Sequence, residues 1–206
     1  MHVLLINGSP HEKGCTYTAL SLVAGELNAA GITTEILNVG TKPVGGCIGC
    51  GGCAKGNGCV FGGVVNEAIE KAKTADAFVF GTPVHYASAS GNMTSFMDRL
   101  AYAGGKYLAY KPAAICASAR RAGTTTTLDQ LVKYPEFFHM PLVSGSYWPM
   151  VHGSKPEQVL EDEEGCAVMR ELGRNMAWLL KCIELGKANG ITHPENPRRP
   201  MTNFIR

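Results

Sequence analysis

Four cysteines within fifteen residues, GGCIGCGGCAKGNGC at 45–59, form the densest concentration of redox and metal-binding chemistry in the chain. Cys47, Cys50 and Cys53 repeat every third residue, and Cys59 follows after five more. Three thiolates at that repeat match the start of a ferredoxin run, and a fourth would complete the ligand set of a [4Fe–4S] cluster. The ferredoxin run places its next cysteine after three residues and before a proline, whereas here Val60 follows Cys59. Zinc is less favoured, because structural zinc sites usually draw separated C-x-x-C knuckles from different parts of a fold. A catalytic dithiol using two of the four stays open, as does a flexible loop whose thiols hold nothing. The seven glycines of the stretch would let the backbone wrap closely and aim amides at sulfur, which tunes a reduction potential.

A second stretch, NGSPHEKGCT at 7–16, stands between an apolar run and an amphipathic one. Free amides and the helix dipole at such a junction favour an anion. It is no Walker A loop: five residues separate Gly8 from Gly14, and Cys15 stands where the lysine would be. It is no GxGxxG fingerprint either, which argues against a dinucleotide pyrophosphate here. Ser9, Thr16 and the backbone amides suit a terminal phosphate monoester of the kind FMN carries. The plainer alternative is that Ser9 and Thr16 cap the helix that follows. At the start of that helix, Cys15 is expected to have a lowered pKa.

Both stretches need a frame that brings loops to one edge. VLLI (3–6) reads as a buried strand, and Leu20, Val23, Leu27 and Ala30 recur at helical spacing after it. Gly31 closes that helix and TTEILNV supplies a second strand. A helix near 64–73 follows, then a strand in ADAFVFGTP (75–83) and a helix over 90–103 capped by Ser90. PAAICASA (112–119) is a fourth strand, the threonines of 124–127 open a fourth helix, and PLVSGSYW (141–148) reads as a fifth strand. A last helix near 164–187 buries Met169, Leu172, Met176, Leu180 and Ile183. Five strands alternating with five helices imply an α/β fold with a parallel sheet covered on both faces. Ligands of such sheets lie outside the carboxyl ends of the strands. That singles out the loops at 7–15, 40–63, 82–89 and 117–123.

The chain's 206 residues suit one domain that needs no staples, and 45% apolar with 17% charged residues describes a folded protein. A net charge of +2 is too slight to argue for nucleic acid. The opening apolar run is too short for a secretory segment and no stretch is long enough to span a membrane, so a cytoplasmic protein without a membrane partner is expected. Cysteines there are reduced or hold metal. Cys116 and Cys182 sit in apolar contexts as expected core thiols, Cys166 carries no assigned role, and Asp98 with Arg99 reads as a structural ion pair or cap.

The sequence resembles the flavodoxin-like family of NAD(P)H-dependent FMN reductases and iron–sulfur flavoproteins. The resemblance rests on NGSPHEKGCT, the Cys/Gly loop, GTPVHYASASGNMTSFMDR (81–99) and the last helix. It implies a doubly wound five-stranded sheet of order 2-1-3-4-5, with residues 1–190 as the FMN-binding domain and 191–206 as a C-terminal arm. By the same resemblance Ser9, His11, Gly14, Cys15 and Thr16 would surround the phosphate and ribityl chain. Pro83, Val84, His85 and Tyr86 would border the flavin ring, and Ser118 with the Arg120 to Gly123 turn would approach its pyrimidine edge. Cys47, Cys50, Cys53 and Cys59 would be the candidate cluster ligands. Two departures stand out: Thr94 where many relatives carry lysine, and Gly62–Gly63 where they carry an acidic pair.

Three functions compete. The first is an FMN-dependent oxidoreductase that takes hydride from NAD(P)H and passes electrons to a flavin, quinone or similar small acceptor. The second is an iron–sulfur flavoprotein receiving electrons from ferredoxin through a [4Fe–4S] cluster, and the third is a metal- or redox-sensing module. The resemblance also implies a homodimer or homotetramer, with the arm serving such contacts.

Overall fold

Strand β1 (His2–Asn7) shows how the sheet acquires two cores. Successive side chains alternate between faces, so Val3 and Leu5 join one apolar cluster and Leu4 and Ile6 the other. The computed structural model describes residues 1–196 and Thr202, so the rest of the expected arm lies outside the described residues. The remaining strands are β2 (Thr33–Asn38), β3 (Ala77–His85), β4 (Ser88–Ala89), β5 (Ala113–Ala119) and β6 (Met150–His152). They form a sheet of order β2-β1-β3-β5-β6, parallel throughout, with β4 folded back antiparallel on the end of β3. This is the expected order, with β4 as an added short strand.

Among the described residues six α-helices accompany the sheet: α1 (Cys15–Ala29), α2 (Val64–Thr74), α3 (Gly91–Gly104), α4 (Thr124–Phe137), α5 (Pro156–Glu161) and α6 (Glu163–Ala188). Leu20, Val23 and Leu27 of α1 meet Met169, Leu172 and Met176 of α6 over one face of the sheet. Val65 and Ile69 of α2, Met93, Phe96 and Leu100 of α3, and Leu131 of α4 cover the other. Five of the six residues of β1 are fully buried, as a central parallel strand requires. No helix among the described residues is long and apolar enough to cross a membrane.

Two expectations need correction. PLVSGSYW is no strand: it touches the sheet once, through a bridge between Ala113 and Leu142, and then leaves it. Ser146 instead donates through its amide and hydroxyl to Glu171 of α6, at 2.8 and 2.6 Å, and pairing resumes only at Met150. The second concerns thiols. Cys116 is buried, but Cys182 is exposed on α6, and Cys166 is the other buried thiol, donating to Val159 O at 3.1 Å. Burial pushes the Cys116 thiol from its ordinary 9.0 up to about 12.

Reaction with a thiol reagent under native, metal-free conditions should therefore be fast at Cys47, Cys50 and Cys182, and should reach Cys116 and Cys166 only on unfolding. Mass mapping of the labelled peptides checks this. The stability that protonated Cys116 contributes is fully present below its unfolded pKa and is lost as pH rises toward about 12. Denaturant titrations of Cys116→Ala should show a shallower alkaline loss than the parent.

Candidate functional site

Asn7 ends β1 as a buried amide, and its hydrogen bonds set the course of the loop that follows. Its Nδ2 donates to Glu12 O at 3.1 Å and to Asn38 Oδ1 at 2.8 Å, while its Oδ1 accepts from Ser9 N at 3.1 Å. Ser9 Oγ in turn accepts from His11 N at 3.1 Å, and Thr16 Oγ1 pairs with Ser118 Oγ at 2.8 Å. Neither hydroxyl caps α1. The cap position is Gly14, without a side-chain cap bond, and the first turn holds no acidic residue. Thr18 N, bonded to Gly14 O, is the first amide of the helix with a partner inside it. The amides of Cys15, Thr16 and Tyr17 therefore point out of an uncapped, positively polarised helix end. An anion is the chemical complement of that arrangement.

Cys15 departs from expectation. Burial pushes its thiol up, its own backbone amide pulls the other way, and the Glu157 carboxylate adds to the rise. Desolvation at this position outweighs the helix end. The thiol accordingly donates, to Gly153 O at 3.5 Å.

Two further segments close on this loop. Pro83 stands opposite Ser118 in the β3–β5 register, and Ser118 is the residue bonded to Thr16. Beyond it, Val84 pairs with Ala89 and His85 with Ser88, leaving Tyr86 and Ala87 as the two central residues of a hairpin. Both have positive φ, 50° and 59°, the signature of a type I′ turn normally filled by Asn-Gly. Tyr86 is fully exposed at its tip. Gly123, at φ 92°, packs so near the hairpin that a Cβ there would stand 2.7 Å from Ala87 Cα and 2.9 Å from Val84 Cγ1. His11, His85 and Arg120 are exposed around the same edge. The expected phosphate and ring residues thus converge on one carboxyl edge of the sheet.

An L-residue held at positive φ costs roughly 1–2 kcal/mol. Ala87→Gly should therefore raise stability by about 1 kcal/mol, or about 2–4 °C in melting temperature for a chain of this size. Scanning calorimetry checks it.

The four cysteines meet elsewhere. Cys47, Cys50, Cys53 and Cys59 line one cavity of about 210 Å³, together with Ile48, Val60 and Phe61 of their own loop and Arg99, Tyr102 and Ala103 of α3. Its wall contains no carboxylate or imidazole. Among the described residues no three Cys, His, Asp or Glu side chains converge tightly enough for a single ion. Four thiols spread around one hollow fit a polynuclear cluster better than zinc, whose ligands crowd one atom at about 2.3 Å. The hollow borders the far half of α3. Ser90, the cap of α3, donates to Gly8 O at 2.8 Å, and Arg99 lies roughly 14 Å further along at 1.5 Å per residue. None of the expected flavin residues lines it.

Asp98 and Arg99 do not pair. Tyr134 of α4 donates to Asp98 Oδ1 at 2.5 Å, and Arg99 turns into the Cys loop. Burial first, and then the hydrogen bond to Asp98, push the Tyr134 hydroxyl well up. Sequence reasoning also missed Asn66, whose Oδ1 accepts from Cys59 N at 2.8 Å and whose Nδ2 donates to Cys59 O at 3.0 Å, and His152, whose Nδ1 stands 3.4 Å from Asp162. A larger hollow of about 760 Å³ opens at the opposite edge of the sheet, beside Met1, Asp76, Lys111 and the end of α6. No expected flavin or metal residue reaches it.

The model of the NADPH-dependent FMN reductase family matches residues 1–155, the whole segment from β1 through β6. The chain belongs to that family. It is 29% identical over 193 residues to an iron–sulfur flavoprotein of Methanocaldococcus jannaschii, covering 89% of this chain and 100% of the relative. An iron–sulfur flavoprotein of Archaeoglobus fulgidus is 29% identical over 196 residues, covering 91% and 96%. Among solved structures, RosB with a bound riboflavin-phosphate intermediate superimposes with a TM-score of 0.71 at 13% identity, covering 100% of this chain and 93% of that one. An archaeal flavodoxin gives 0.61 at 13% identity, covering 88% and 99%. At such identities the structural likeness shows the flavodoxin-like fold, and the family match makes this FMN reductase relative a member of an oxidoreductase family.

Proposed function

We propose that the chain binds FMN at the carboxyl edge and works as an FMN-dependent oxidoreductase, oxidising NAD(P)H and reducing a flavin, quinone or similar small acceptor. The observation that carries this reading is the uncapped start of α1, whose amides at Cys15, Thr16 and Tyr17 are left for a phosphate. Bound FMN would supply the hydride-accepting chemistry, and the protein would supply binding and orientation. Ser9, His11 and Gly14 would flank the phosphate, Pro83, Val84, His85 and Tyr86 would border the ring, and Ser118 with Arg120 to Gly123 would close its polar edge. The Thr16–Ser118 hydrogen bond holds the phosphate and ring segments in register. FMN titration followed by stopped-flow oxidation of NADH and NADPH tests the reading: tight FMN binding with donor oxidation supports it, and absence of FMN binding overturns it.

The four-thiol cavity favours a second reading. Cys47, Cys50, Cys53 and Cys59 would hold a [4Fe–4S] cluster, and the chain would take single electrons from a protein donor such as ferredoxin. The names of the two archaeal relatives support it. Iron and acid-labile sulfide assays on anaerobically prepared protein, read with the visible spectrum, decide between flavin alone and flavin with cluster. We further propose a homodimer or homotetramer, in keeping with the exposed Ile48, Phe61, Tyr86 and Tyr102; light scattering checks it.

A further inference from the structure

Among the described residues Arg99 is a buried cation without a counter-ion. It is 6% exposed, and no carboxylate pairs with it among the described residues. Its hydrogen-bond partners are the Cys59 sulfur, at 3.2 Å from Nε, and two carbonyl oxygens, Gly45 O at 3.3 Å and Gly62 O at 2.9 Å. Phe61 lies over the guanidinium at 5.5 Å. Removing a cation from water is costly unless an anion answers it, and the cavity the guanidinium faces is where such a partner would sit. The lining of that cavity offers four sulfurs and no carboxylate, so an anionic group held by those sulfurs is the partner the geometry provides for.

The two carbonyls matter as much as the sulfur. Gly45 and Gly62 bracket the segment that carries all four cysteines, so one planar fork ties its two ends together and touches the last ligand. A lysine could bring the charge, but its donors all sit on one nitrogen and do not span the three acceptors as a planar fork does.

We propose that Arg99 is the clasp and counter-charge of the four-thiol site: it closes the Cys loop through Gly45 and Gly62 and, through Cys59 Sγ, stabilises the more negative redox state of a cluster held there. The inference rests on the cluster reading above for its second half. Net charge and hydrogen bonds to sulfur are among the levers that set such potentials, and a cation on the ligand sulfur raises them.

The experiment compares wild type, Arg99→Lys and Arg99→Met after anaerobic reconstitution with iron and sulfide, with FMN content as the folding control. Mediated redox titration should give a lower cluster midpoint for Arg99→Met and an intermediate one for Arg99→Lys. In metal-free protein, alkylation of Cys59 should speed up tenfold or more in both variants, since neither keeps the clasp. Equal midpoints in all three proteins would overturn the counter-charge, and unchanged Cys59 alkylation would overturn the clasp. A wild-type protein that takes up no iron and sulfide would overturn the cluster reading and the counter-charge with it. The alkylation arm would still decide the clasp.

Discussion

Gly40→Ala is expected to cost the protein most of its FMN affinity, although Gly40 is not among the residues expected to touch the flavin. A Cβ at Gly40 would fall well inside contact distance of Ser9 O and 2.5 Å from Gly8 O. Both obstacles are backbone, so no side-chain rotation relieves them. The neighbouring segment cannot retreat easily either, because Asn92 of α3 donates to Gly40 O at 2.9 Å and Lys42 O at 3.0 Å and accepts from Val44 N at 3.1 Å. The strain must therefore move Gly8 and Ser9, the start of the phosphate loop, whose order depends on the Asn7–Ser9–His11 chain of hydrogen bonds. Overpacking of this kind costs about 1–3 kcal/mol. If half of that falls on the binding-competent loop, FMN affinity drops about two- to tenfold. Fluorescence titration of FMN reads the loss. Gly25→Ala is the control: Gly25 is exposed within α1 with nothing near its Cβ, and there the same change should stabilise by about 0.5–1 kcal/mol.

What the sequence made legible follows from which interactions are local. The alternation of Val3, Leu4, Leu5 and Ile6 and the helical spacing of Leu20, Val23 and Leu27 are local patterns, and they placed β1, α1 and the loop between them correctly. Ser90 as the cap of α3 is also local, its Oγ accepting from Met93 N. The errors lie where a partner is distant. Asp98 and Arg99 look like a pair because they are adjacent, but neighbours on a helix point about 100° apart. One therefore met Tyr134 on α4 and the other met the Cys loop. PLVSGSYW has the composition of a strand, yet Glu171 on α6 holds Ser146 off the sheet. The hairpin at Tyr86–Ala87 had no Asn-Gly to announce it. Cys15 shows competition within one residue: its place at a helix end was legible, and the burial that reverses its pKa was not.

Cys59→Ser is expected to remove nearly all iron and labile sulfide from anaerobically prepared protein while leaving FMN binding within about twofold. Cys47, Cys50 and Cys53 follow one another at three-residue intervals on one glycine-rich stretch. Cys59 comes from beyond the 3-10 turn at Gly52–Lys55, and its position is fixed by other means. Asn66 on α2 clamps its backbone on both sides and Arg99 on α3 holds its sulfur. Two helices committed to one cysteine make it the ligand whose place the fold specifies most firmly. Serine keeps nearly the same size and both backbone bonds to Asn66, so loss of iron would report the change from a soft thiolate to a hard oxygen rather than a collapsed loop. Cys182→Ser, at the exposed thiol on α6, should leave iron, sulfide and FMN as they were. Retention of a full iron complement in Cys59→Ser would remove Cys59 from the ligand set and, with it, the charge that answers Arg99.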